Sequence, residues 1–288
     1  MEALHILFTM DCERVIRQSK HHAKTWEQSA RSIDGFASCL LSAGYPVTLF
    51  VAPECAQELS PLMEELAGRG AEIGLFVDPP RLGNGHYSRP LGQYKPEHQH
   101  EIITLAAGFL EDALGMQPRS FRSGDFSASD DTFKVLYELG FRQGSLSKPG
   151  QNLPRQAASW VGAPVDAHYV DLTNRLRVGS FPFLELPATT DPAQYVYRGV
   201  PYELRIEMGT FADWVRPFID SQIERMASEQ VDFRSICIGT GNSVAYAEDD
   251  RASETIDALI DYFDVLGGSY EIVPVTLAGA HERFRSMR

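Results

Sequence analysis

The chain has 288 residues, 43% of them hydrophobic and 23% charged, which is enough to bury a full core; α/β barrels of about this length form one domain, so a single domain over 1–288 is expected. A formal net charge of -13 argues against nucleic acid or an anionic membrane as partner, because both favour clustered Lys and Arg, and leaves neutral or cationic small molecules as the better fit. Glu2 follows Met1 with no basic segment and no long apolar run, so a cytoplasmic protein with no membrane span is expected. Cys12, Cys39, Cys55 and Cys237 are scattered without a Cys-x-x-Cys pair, which suits reduced, buried thiols.

In chain order, His5-Ile-Leu-Phe-Thr-Met-Asp-Cys-Glu13 reads as a buried strand ending in two acids, Asp11 and Glu13. Residues two apart on a strand point the same way, so in an α/β barrel both carboxylates would project at the end that carries chemistry. The same stretch also reads as a helix start, with Asp11 as cap and Glu13 in the first turn. Thr25 to Ser42 has helical periodicity and stops at Gly44. Val47 to Val51 is a second strand, Glu54 to Ala67 a second helix, and Ala71 to Val77 a third strand ending at Asp78. Residues 79–96 have no periodicity and form a long loop carrying His86, of the length that is commonly functional. A helix from Pro96 to Leu114 is closed by Gly115, and Ser120 to Arg122 opens a fourth strand. A helix follows from about Ser129 to Leu139.

The second half keeps the rhythm more loosely. Phe141 to Ser147 is expected as a short strand. Residues 148–182 are an irregular insertion with a hairpin near Ala167 to Val178. Phe183 to Leu186 is a strand and Thr210 to Ser228 a helix kinked at Pro217. Ser235 to Thr240, Asp250 to Leu266 and Tyr270 to Pro274 complete the alternation. About seven or eight parallel strands imply a closed barrel or a wide sheet, and the absence of a Gly-x-Gly-x-x-Gly loop after the first strand favours the barrel.

Taken as a set, Phe8-Thr-Met-Asp-Cys-Glu13, Val47-Thr-Leu-Phe-Val51, Ala71-Glu-Ile-Gly-Leu-Phe-Val-Asp-Pro79, Leu91-Gly-Gln-Tyr94 and Phe121-Arg-Ser-Gly124 resemble, in order, the polysaccharide deacetylase family (carbohydrate esterase family four, the NodB-type homology domain). Leu184-Glu-Leu-Pro187 and Thr240-Gly-Asn-Ser243 extend the resemblance more weakly. It implies a distorted (β/α) barrel of about seven parallel strands. It also implies hydrolysis of an N-acyl group on an amino-sugar by a metal-activated water, with Asp11 as general base and Arg122 as its orienting partner. Asp125, Tyr94, Thr240 and Asn242 are then expected on the substrate side.

The metal set departs from that pattern. Where the third strand should carry a ligand His, this chain has Gly74-Leu75-Phe76-Val77-Asp78, and Cys12 stands where the family places an Asp. Asp11, Glu13, Asp78 and His86 remain as a rebuilt donor set, which would take Mg²⁺, Ca²⁺ or Mn²⁺ through oxygen, or Zn²⁺ if His86 joins. The alternative for these residues is plain: Asp78 and Asp125 as caps and His86 as a solvated loop residue. Gly239 stands where the family's general-acid His would precede Thr240-Gly241. His21, His22, His98 and His100 read as solvated, Trp26, Trp160 and Trp214 as sugar-stacking candidates that spacing does not separate, and Tyr87, Tyr94 and Tyr197 as binding-wall candidates. Three functions are consistent with these residues: a metal-dependent deacetylase, a metal-independent amidohydrolase needing no cofactor, and an inactive relative that binds carbohydrate or a protein partner.

Overall fold

A computed structural model describes residues 1–18, 22–83, 85–246 and 250–288; His21 lies outside them. Strand β1 (Ala3–Cys12) is followed by α1 (Trp26–Ser42), β2 (Val47–Val51), α2 (Pro53–Glu58), α3 (Ser60–Gly68) and β3 (Glu72–Val77). Thr25 caps α1 by accepting from the Gln28 amide at 3.1 Å. The single helix expected over Glu54 to Ala67 is two helices. Pro61 has no N–H for the Gln57 carbonyl and its ring crowds that carbonyl, and the chain breaks at Leu59 (φ -120°, ψ 25°).

Next come α4 (Pro96–Leu114), β4 (Ser120–Ser123), α5 (Thr132–Glu138) and β5 (Gln143–Gly144). Gly115 closes α4 in the left-handed region at φ 65°, where its N–H reaches the Glu111 carbonyl. The expected strand from Phe141 to Ser147 is cut to two residues, because the Leu146 and Ser147 amides turn to the Glu185 carboxylate at 2.9 and 2.7 Å.

The insertion folds as a hairpin of β6 (Asn152–Leu153) and β7 (Ala158–Ser159), and then β8 (His168–Val170). The hairpin expected near residues 167–178 is present as an antiparallel bridge between Val170 and Val178. After β9 (Phe181–Glu185), the hairpin of β10 (Thr190–Tyr197) and β11 (Val200–Glu203) was not expected. The helix expected from Thr210 is a π-type turn, Phe211–Val215, leading into α6 (Arg216–Ser228). Pro217 sits in its first turn, where no N–H is needed. Strand β12 (Arg234–Gly241), α7 (Asp250–Leu266), β13 (Glu271–Pro274) and an unexpected α8 (Leu277–Ser286), capped by Thr276, end the chain.

The chain forms two compact units. The first comprises Met1–Leu49, Glu64–Glu72 and Leu204–Arg288. Its sheet is centred on β1, which pairs in parallel with β12 and β13 and lies next to β2. Positions 4–10 of β1 are buried on both faces, as a central parallel strand requires. Phe8 packs edge-on against Tyr45 and Phe263. The second unit comprises Phe50–Met63 and Ile73–Glu203. There β3, β4, β5 and β9 pair in parallel and β8 adds antiparallel to β9, so the sheet is mixed rather than wholly parallel. Its core includes Phe121 on Phe141 and Phe133 of α5 on Phe183.

Candidate functional site

In the first unit, the parallel register sets Met10 opposite Thr240 and Asp11 opposite Gly241, so β1 and β12 end together. Asn242 braces that end. Its amide donates to the Asp11 carbonyl (3.1 Å), and its side-chain nitrogen donates to the Glu13 carbonyl (2.8 Å) and Ser29 Oγ (2.7 Å). The Glu13 amide donates back to Asn242 Oδ1 at 3.3 Å. Asn242 is buried, so its observed work is to hold backbone. Glu13 Oε2 lies 3.1 Å from His22 Nε2, whose side chain is only 9% exposed. His22 is therefore a hydrogen-bond partner of a candidate site acid, which corrects its reading as a solvated residue.

Thr240 Oγ1 donates to Glu207 Oε2 at 3.0 Å and touches the Tyr246 hydroxyl. Having one proton, already given to the carboxylate, it accepts from Tyr246. Glu207 Oε1 in turn accepts from Arg205 Nε at 2.6 Å, and Arg251 donates to the Glu207 and Gly209 carbonyls. The segment carrying Arg205 reaches β12 by backbone pairing: Gly239 donates to the Leu204 carbonyl (3.0 Å) and Ile206 to the Gly239 carbonyl (3.2 Å). A Cβ built on Gly241 would sit 3.7 Å from Arg205 Nη2 and 3.9 Å from the Asp11 carbonyl oxygen. Arg205 and Glu207 were missed in the sequence. The alternation Leu204-Arg-Ile-Glu207 is a period-two signal, too short to stand out between two Gly-containing stretches.

In the second unit, Arg122 is buried on β4. Its Nε donates to the Ser145 carbonyl (3.2 Å), its Nη2 to Ser145 Oγ (2.9 Å), and its guanidinium lies 4.2 Å over the Phe50 ring. Phe126, flanked by Arg122 at 5.6 Å and Lys148 at 5.5 Å, follows Asp125 in a turn where both residues are left-handed, at φ 54° and 58°. Donors from Gln151 to the Asp125 carbonyl and from Trp160 Nε1 to the Phe126 carbonyl, both at 2.8 Å, hold that turn. Trp160 is thus a buried clamp and not a sugar-stacking surface. The Asp125 carboxylate itself is exposed.

Lys148 pairs with Glu203 in a buried ion pair. Glu185, the last residue of β9, is buried, and its Oε1 accepts from the Leu146 amide and from both the amide and the hydroxyl of Ser147. Burial pushes its pKa up to about 7, against the opposing pull of those three bonds and of the Arg122 charge. Its Oε2 has no hydrogen-bond partner. Glu185 shares a face of β9 with Phe183, which packs on α5, so its role is to anchor the 145–148 turn.

The expected metal donors other than Asp11 have contacts of their own. Glu13 is engaged by His22, and the Asp78 carboxylate lies 3.1 Å from Arg81 Nε. A Cβ on Gly124 would come within 2.7 Å of Asp78 Cγ, so Asp78 also packs tightly on the backbone after β4. His86 lies edge-on to Tyr87, 4.8 Å between ring centroids. Tyr87 is buried, donates to Glu101, and packs against Tyr94, whose hydroxyl accepts from the Arg89 amide. These contacts tie Tyr87 and Tyr94 to one another and Tyr87 to α4. Among the described residues, no group of three His, Cys, Asp or Glu is arranged to hold an ion. No helix among them is long and apolar enough to cross a membrane.

No family model matches the sequence, and no curated protein matches it. Solved structures do resemble it. A protein from Mycobacterium smegmatis described as a polysaccharide deacetylase superposes with a TM-score of 0.63 at 15% identity over 99% of this chain and 91% of its own. The PuuE allantoinase gives 0.66 at 10% identity over 99% and 91%. A Pseudomonas aeruginosa PAO1 protein described as a polysaccharide deacetylase gives 0.61 at 11% identity over 98% and 91%. At such identities the likeness is one of architecture, and it spans nearly the whole chain: this protein has the (β/α)-barrel fold of the polysaccharide deacetylases.

Proposed function

We propose that the protein is a cytoplasmic amide hydrolase of the deacetylase type, removing an acyl group from an amino-sugar or a related small amide without a resident metal. One observation carries this reading: two of the three acids expected to bind an ion, Glu13 and Asp78, are engaged by His22 and Arg81, while the third, Asp11, stands at the end of β1 with its backbone pinned by Asn242. In this scheme Asp11 takes a proton from water, the resulting hydroxide adds to the acyl carbon, and the C–N bond breaks. Asp11 then returns the proton to the departing nitrogen, leaving a carboxylic acid and an amine. Within the second unit, Arg122 stiffens the end of β4 through Ser145. The fold likeness to an allantoinase supports keeping cyclic amides among the substrates.

A second reading, an inactive relative that binds carbohydrate, is favoured by Gly239, which offers no side chain to protonate a leaving group. Incubation with N-acetylated amino-sugars and with allantoin, following amine or acid release, separates the two. Release abolished by Asp11→Asn supports the hydrolase. Saturable sugar binding with no release by the native protein supports the binding relative and overturns the hydrolase.

A further inference from the structure

We infer that the second unit carries a binding site for a small phosphate monoester, built around Arg119 and Arg142 where β4 and β5 begin. The site stands apart from the proposed hydrolysis, and within this unit it lies at the other end of β4 from the Asp125 turn, since Arg119 precedes the strand and Asp125 follows it. A cavity of about 330 Å³ opens there between the second half of α4, the approach to β4 and the residues joining α5 to β5. Small-molecule sites run from ~300 to 1,000 Å³, so this one has room beyond a bare ion.

The two guanidiniums are set side by side by backbone. The Arg142 amide donates to the Arg119 carbonyl at 2.9 Å, and the next residues, Ser120 and Gln143, are partners in the parallel register, so the two arginine stems leave the sheet on the same face. Arg142 is also oriented. Its guanidinium lies 4.2 Å over the Tyr137 ring, and its Nη1 donates to the Tyr137 and Phe141 carbonyls at 3.0 and 2.7 Å. Among the described residues, Arg142 Nε and Nη2 have no hydrogen-bond partner, and the Arg119 side chain makes neither a hydrogen bond nor an ion pair. Glu111, the acid in the lining, instead accepts from the Gln117 side-chain amide at 3.1 and 3.2 Å. Two neighbouring guanidiniums that no carboxylate neutralises suit a phosphate dianion, whose oxygens take the planar N–H fork in charge-assisted bonds. Glu111, Gln117 and the Thr104 hydroxyl then face the rest of the ligand, and they suit the hydroxyls of a polyol. The walls leave that space open. A Cβ built on Gly108 of α4 or on Gly140 meets nothing within 4 Å, and Gly140, at φ 96°, sits where a larger residue is strained.

The probes are glucose 6-phosphate and inorganic phosphate, titrated calorimetrically into the full-length protein up to about 20 mM, which captures millimolar dissociation constants. Glucose 6-phosphate should bind saturably, one per chain, and more tightly than inorganic phosphate. Arg119→Gln and Arg142→Gln should each weaken it by about tenfold or more, and Arg119→Lys and Arg142→Lys should recover part of the loss, since a point charge replaces the fork. Glu111→Gln should weaken glucose 6-phosphate but not inorganic phosphate, because only the ester carries hydroxyls. Gly108→Leu fills the cavity without touching a charge. It should abolish binding while the melting temperature holds or rises, leucine being the better helix former, and so it separates a shaped site from anions gathering on two surface arginines. No saturable binding of either probe overturns the inference, as does binding that survives both glutamine variants or Gly108→Leu. Inorganic phosphate bound as tightly as the ester overturns the assignment to a monoester.

Discussion

Glu185 couples the stability of the second unit to pH. Its carboxyl titrates near 4.5 when exposed and near 7 when folded, so the folded chain holds a proton through that window that the unfolded chain has lost. The stabilisation is fully present below pH 4.5 and disappears as pH rises through 7. A shift of that size is worth a few kcal/mol at most. Glu185→Gln mimics the protonated form, keeping an oxygen for the Leu146 and Ser147 amides. The difference in unfolding free energy between native protein and variant should therefore grow in the variant's favour from about pH 5 to about pH 8, by chemical denaturation at each pH. A pH-independent difference would mean that the carboxyl is ordinary. Asp11→Asn should behave otherwise, abolishing turnover while moving the melting temperature only modestly, because Asp11 is half-buried at the strand end.

At the scale of elements, the turn after β4 sets two successive non-glycine residues at positive φ, a strained stretch of backbone. Asp125→Gly relieves one of them and should raise stability by about 0.5–1 kcal/mol. If Asp125 holds substrate, the same change raises KM, and a variant that is more stable with unaltered KM removes Asp125 from the binding surface. How much of the chain was legible follows from such local signals. The helix over Pro96–Leu114 carried a proline in its first turn and a glycine beyond its end, and its bounds agree with the structure. Strand β1 was legible as a largely apolar run, and so was Asp11 near its end. Pro61 was visible but was given too little weight. The β10–β11 hairpin was hidden because β10 is largely solvated and lacks alternation, and α8 because Pro274 looked like an ending.

The candidate site was legible only where a single residue type announces a role. Asp11 and Arg122 could be named from their blocks only as candidates. The links from Thr240 through Glu207 to Arg205, or from Glu13 to His22, join residues that neither spacing nor periodicity connects. Carboxylates that stand alone in the sequence acquire partners on folding, Glu13 the His22 imidazole and Asp78 the Arg81 guanidinium.

For the molecule as a whole, a net charge of -13 repels polyanions and attracts amines. A substrate bearing a free amine should show a KM that rises between roughly 20 and 500 mM salt, on the order of several-fold as the Debye length shrinks, while a neutral amide should not. A neutral amide with the same salt response would point to something other than screening. Metal dependence is tested at this scale too. With no group of three donors among the described residues arranged around an ion, binding of a divalent cation would first have to break the Glu13–His22 and Asp78–Arg81 pairs. Removing such a cation should then change neither activity nor melting temperature. Protein dialysed against EDTA and then freed of chelator should keep its full hydrolytic rate, and elemental analysis of the undialysed protein should find well under one equivalent of Zn, Mn or Mg. A rate lost to chelator and restored by a single metal at one equivalent would overturn the metal-free mechanism.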